Sequence, residues 1–268
     1  VSVNAWRQDF AESPYFSGLA AHAGHFSRFT DWPGLADLNQ RAVEYAASNA
    51  SGQPLRFGEQ TQRCSQRDYE HGIHASGQVP TRPASWHDFF NALIWLAWPR
   101  AKAALNSVQH EALNTPGDQR GPISDAATLF DESGLVLVAP DAGIAALLRV
   151  KQWRQVFWEA RPAWQAARLY VFGHSLLEKS LQPAPGMTGK CLFIEADTRA
   201  IPAASVPAWL DERVALDWEC RRIMRPSDLF ALPIQGVPGF DAANCSADYY
   251  ADERIFRPAR IKPSTAPI

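Results

Sequence analysis

"WHDFFNALIWLAWPRAK", from Trp86 to Lys102, decides how this chain is read. The stretch is too apolar for a surface helix, yet its ends carry His87, Asp88, Asn91 and Lys102. Ser85 stands just before it, where an N-cap residue belongs. The spacing predicts a helix over 86–106. On a helical wheel His87, Asp88, Asn91, Trp95, Trp98, Lys102 and Asn106 share one arc, and Phe89, Phe90, Leu93, Ile94, Leu96 and Ala97 cover the rest. A solvent face would carry Lys and Glu with few aromatics. This arc therefore reads as the wall of a cleft, and it is expected to be accessible, because Lys is almost never buried unless paired. Pro99 qualifies the wheel: if the helix ends there, Lys102 and Asn106 leave the arc.

Outward from that helix, "LADLNQRAVEYAASN" (35–49) reads as helix, and "LRFGEQ" (55–60) with "YEHGIHASG" (69–77) as two strands of a hairpin. In a strand, His71 and His74 would point to opposite faces, which argues against a shared metal. "ATLFD" and "LVLVA" around "DESG" (131–134) predict a second hairpin, with Asp131 and Glu132 as turn residues. Asp141 can cap a helix through 142–150, extending to about residue 158. After Pro162 a helix over 163–181 would place His174 and Glu178 on one face. "KCLFIEA" (190–196) reads as a buried strand, and Ser205 and Pro207 open a helix to about residue 219. The expected class is α+β, a helical body with small β-hairpins or a short mixed sheet and a long C-terminal coil. Residues 1–268 are expected to form one unit, with irregular segments 1–34 and 226–268 wrapped over it.

Composition removes several function classes. The apolar fraction of 46% is that of an ordinary globular chain, and the net charge of −2 offers no basic field for nucleic acid. The longest apolar run, 89–98, is about half of what a bilayer needs, so no membrane partner is expected. The N-terminus lacks a basic segment followed by an apolar one, so no signal peptide is expected. Cys64, Cys191, Cys220 and Cys245 show no C-x-x-C spacing, which argues against a zinc knuckle and for free thiols in a cytoplasmic protein.

Several segments taken together resemble a bacterial family catalogued as domain of unknown function 3025. They are "GQVPTRPASWHDFFNALIWLAWPRAKAALN" (77–106), "DAATLFDESG" (125–134), "FGHSLLEK" (172–179), "LPIQGVPGF" (232–240) and "FRPAR" (256–260). The resemblance runs from about Trp32 to Arg260 and implies a single family-sized unit. It carries no activity, cofactor or catalytic residue.

The leading expectation is a cytosolic hydrolase with a divalent metal as candidate cofactor, acting on a phosphoester or other anionic substrate. His87 serves as general base or metal ligand, with His174 as the second imidazole. Asp88 and Glu178 hold the metal or orient the rings. Asn91, Trp95 and Trp98 contact substrate, and Lys102 binds a small anionic ligand. If the two polar patches face one space, the His87 and His174 side chains lie within about 10 Å of each other. Two rival readings exist: a binding module gripping a ligand or protein with Trp86, Trp95 and Trp98, and a structural protein whose polar residues only specify the fold.

Overall fold

A computed structural model describes residues 5–114, 121–199, 201 and 205–259. Its helices and strands alternate irregularly in an α+β arrangement. In chain order they are α1 (Ala20–Phe26), α2 (Leu35–Glu44), β1 (Arg56–Glu59), α3 (Gln66–Ser76), β2 (Gln78–Thr81), α4 (Trp86–Ala97), α5 (Pro99–Asn114), α6 (Pro122–Ser133), β3 (Gly134–Ala139) and α7 (Gly143–Arg149). They continue with β4 (Arg168–Val171), α8 (His174–Ser180), β5 (Thr188–Glu195), α9 (Ala208–Glu219) and β6 (Phe230–Pro233). A four-stranded sheet runs in the order β4-β3-β5-β6, with β3 and β5 parallel and the two edge strands antiparallel to them. Every residue of β3 is buried, as its unbroken apolar run requires. A separate parallel pair, β1 and β2, lies near α2 and α3. None of the described helices is long and apolar enough to cross a membrane.

The central helix divides at Trp98, whose backbone (φ −128°, ψ 54°) is not helical. Pro99 cannot continue the bonding of α4 and instead opens α5. The carboxylate of Asp211, from α9, accepts from the N–H groups of Arg100 (3.0 Å) and Ala101 (2.8 Å) and so caps α5 across the fold.

Four sequence expectations are corrected. Residues 69–77 belong to α3, not to a strand. Ser65 caps its start by accepting from the Asp68 N–H, and Gly77, at φ 72°, closes its end. On a helix His71 and His74 share a face, where both meet the His110 ring. The "DESG" hairpin does not form: "ATLFDES" completes α6, and the chain passes straight into β3. The helix expected over 163–181 is a 3₁₀ segment, then β4, then the short α8. The single helix expected over 86–106 is two, α4 and α5; the C-terminal stretch is largely irregular, as expected, with β6 at the sheet edge, and residues 260–268 lie outside the described residues.

Two glycines set the approach of α6 to α8. The Phe172 and Gly173 N–H groups both donate to Gly134 O at 2.9 Å. A Cβ on Gly173 would lie 2.4 Å from Ser133 Cα and 2.5 Å from Gly134 N, both rigid backbone. That contact holds the last turn of α6 against the first turn of α8. Gly173→Ala is expected to destabilise the protein by about 1–3 kcal/mol, the usual range for overpacking, read as a lower urea midpoint; an unchanged midpoint would show that the approach tolerates a side chain.

Candidate functional site

Lys102 organises the polar interior. Its Nζ donates to Asn91 Oδ1 at 2.9 Å and to Asp131 at 2.5 Å, and it sits over the Trp95 ring at 5.2 Å. So the break at Pro99 does not separate Lys102 from Asn91; it folds α5 back until they bond. Asn91 then donates to the Tyr69 hydroxyl at 3.1 Å, tying in α3. The expectation of an accessible stripe is corrected here: Asn91, Lys102 and Asn106 are buried. Pairing with Asp131 is what permits the buried ammonium.

Beside this network a cleft of about 350 Å³ opens between α3, α4, α6 and α8, lined in part by Tyr69, Glu70, Arg82, His87, Glu132 and His174. The His87 and His174 rings meet edge to face, their centroids 4.4 Å apart, well inside the expected separation. Between them lies one carboxylate. Glu132 Oε2 is 3.7 Å from His87 Nε2, and Glu132 Oε1 is 3.7 Å from His174 Nε2. One ligand atom from each of these three residues lies within 4.8 Å of the other two. Donors on a shared tetrahedral ion at bonds of ~2.0–2.1 Å would be roughly 3.3 Å apart, so side chains whose ligand atoms now lie within 4.8 Å of one another would have to draw together to share one ion.

The outer faces of both rings meet aspartates. His87 Nδ1 is bonded to Asp88 Oδ1 at 3.1 Å, and Asp88 is fixed by the Arg82 N–H (2.7 Å), Nε (2.9 Å) and Nη2 (2.6 Å). His174 Nδ1, buried and without a hydrogen-bond partner, faces Asp131 Oδ1 at 3.9 Å. Glu132 also accepts from the Ser175 hydroxyl. A carboxylate hydrogen-bonded behind an imidazole, as Asp88 is behind His87, fixes the tautomer and points Nε2 inward.

The charges follow from these contacts. The hydrogen bond to Asp88 and the nearby Glu132 carboxylate raise His87 to about 9 despite burial. Burial pushes His174 down to about 4. Burial opposes ionisation of Glu132, yet His87, His174 and Ser175 hold it at about 2. Burial likewise opposes Asp88, whose bonds to Arg82 and His87 prevail and keep it below the ordinary carboxylate range. At neutral pH the trio is one imidazolium, one carboxylate and one neutral imidazole. An incoming cation would displace the His87 proton.

Of the residues expected at the site, His87, Asp88, Asn91 and His174 line one cleft. Glu178 is exposed and stands apart from the imidazole pair, its charge acting on Arg82 instead. Glu132 takes the place expected for it. Trp95 and Trp98 are 1% and 0% exposed and do not line the cleft; Trp86, 3% exposed, stacks on Trp6 at 4.9 Å. These three indoles belong to the core and do not wall the cleft. Lys102, buried and paired with Asp131, is not positioned to take an anion from solvent; Arg82, paired with Asp88 but with a side chain 56% exposed, is a cation that solvent reaches at the cleft. Asp131, Glu132 and Glu70 were missed because their segments read as turn and strand. The available signals were Pro122 opening a helix, and Thr128, Asp131 and Glu132 at helical spacing.

The chain belongs to the family described as protein of unknown function (DUF3025), whose model matches residues 55–260. Neither a curated protein nor a solved structure matches it.

Two outcomes are expected for metal-free protein. By NMR, His87 titrates near 9, and Asp88→Asn moves it down. Since that value lies above the ~6.5 of an unfolded histidine, its stabilising effect is complete below about pH 6.5 and fades as pH rises through 9. A His87 titration near 6.5 in the folded protein would contradict this. Separately, Lys102→Met should cost about 3–5 kcal/mol by leaving Asp131 unpaired, and adding Asp131→Leu should restore most of that loss in urea unfolding; no restoration would mean the pair is not the source of the loss.

Proposed function

We propose that this protein is a metal-dependent hydrolase whose ion is held by His87 Nε2, His174 Nε2 and a Glu132 carboxylate oxygen. The observation that carries the reading is the shared carboxylate: two inward-facing imidazole nitrogens each stand 3.7 Å from a different oxygen of Glu132. Two nitrogens and one oxygen suit zinc, and three protein ligands leave a coordination position for water or substrate. Asp88 and Asp131 act behind the rings rather than on the ion. A bound ion would lower the pKa of its water and polarise a carbonyl or phosphoryl oxygen. Arg82 is the group that would receive an anionic part of the substrate, with Asp88 holding its fork in place. A soluble cytoplasmic setting, as the sequence leads us to expect, suits such an enzyme.

Protein purified without a histidine tag should carry about one zinc per chain, measured by elemental analysis. Glu132→Ala and His174→Ala should lose it, and Glu178→Ala should keep it. Asp88→Asn, which leaves the ligands in place, should weaken zinc by about 10–100-fold in chelator competition. Equal zinc content in wild type and His174→Ala would remove the basis for the reading.

A further inference from the structure

Behind the cleft wall is a void of about 10 Å³, bordered by Tyr69, Glu70, Lys102, Asn106, Gln109 and Asp131. That is about the volume at which one water fits. Its lining is polar and incompletely satisfied. Asn106, only 3% exposed, uses its Nδ2 on Glu70 O (3.0 Å) and Glu70 Oε2 (2.7 Å), while its Oδ1 has no partner. The Lys102 ammonium has three protons, and Asn91 and Asp131 take two. A water here can accept from Lys102 and donate to Asn106 Oδ1 and to Glu70, the three bonds typical of a buried water.

Glu70 borders both this void and the cleft that holds His87, Glu132 and His174. One of its oxygens is anchored by Asn106, and the residue is only 6% exposed. We propose that Glu70 is the acid–base group of the cleft, held in place from behind by Asn106 and by a water in the void that also bonds Lys102. The role rests on the metal-hydrolase reading above. Ionised Glu70 would accept a proton, relayed through water in the cleft, from the attacking water; that water's O–H bond would break, with its electron pair staying on the oxygen. The oxygen bonds to the carbonyl carbon or phosphorus of the substrate. The bond to the leaving group then breaks, and the leaving group takes the proton back from Glu70. Burial, reinforced by the Asp131 charge and opposed by Asn106 and Lys102, brings the Glu70 carboxyl up to about 7, where both protonation states are populated at neutral pH. Its other ionisable neighbour at the void is Tyr69, which burial keeps neutral.

Infrared difference spectra of metal-stripped protein between about pH 5 and 9 test this, since ordinary carboxyls are already ionised by then. A protonated-carboxyl band with a midpoint near 7 should be present in the wild type and absent from Glu70→Gln. The other raised carboxyl, Asp211 at about 6, should remain in both. Adding one equivalent of zinc should lower the Glu70 midpoint by about one pH unit or more, as a nearby cation does to a carboxylate. Glu70→Gln should bind zinc as the wild type does, because Glu70 is not a ligand. Absence of any band sensitive to Glu70→Gln would overturn the proposal, as would zinc that binds and leaves the midpoint where it was. Failure of the wild type to take up zinc would instead overturn the metal reading beneath it, with the Glu70 band still visible.

Discussion

One buried ammonium holds the interior together. Lys102, on α5, bonds Asn91 of α4 and Asp131 of α6, and Asn91 passes the connection to Tyr69 of α3. Four helices meet at that charge. Desolvating an ammonium is expensive, and only close, complete pairing offsets the cost. The geometry of the neighbouring cleft follows from this constraint. Asp131 is fixed by Lys102, so Glu132, the next residue, is presented between the imidazoles. The glycine contact between α6 and α8 then brings His174 to meet it.

The cleft places unlike protonation tendencies side by side. His87 is half exposed among acids and keeps its proton, whereas His174 is buried and loses its own. Both Nε2 atoms nevertheless converge on Glu132. A proton on His87 and a metal ion at the centre are alternatives for the same negative charge. Structural histidines that were simply satisfied would each have a hydrogen bond at both nitrogens. His174 Nδ1 has none, and both Nε2–Glu132 distances are too long for one.

The central helix was legible because its signals are local. Ser85 caps and apolar periodicity carries the helix; the break at Pro99, against one helix over 86–106, stood only as the alternative. The meeting of His87 and His174 was legible for a different reason: two largely apolar helices, each with one polar patch, satisfy both patches by facing each other. What was not legible depended on tertiary context. "ATLFD" fits strand or helix equally, and only packing against the sheet and α5 decides it. Reading it as strand turned Glu132 into a turn residue and left Glu178, four residues after His174, as the apparent carboxylate. The wheel placed Trp95 and Trp98 with the polar residues, but Lys102 and Phe172 cover them, at 5.2 Å and 5.6 Å from the respective rings.

X-ray absorption at the zinc edge of untagged protein tests the central claim most directly. The account predicts nitrogen and oxygen donors at about 2.0–2.1 Å, with the multiple-scattering pattern of two imidazoles and no sulfur. A sulfur shell at about 2.3 Å would move the ion to Cys64, the exposed thiol that also lines the cleft. Such a shell, or protein that takes up no metal at all, would contradict a centre built on His87, Glu132 and His174.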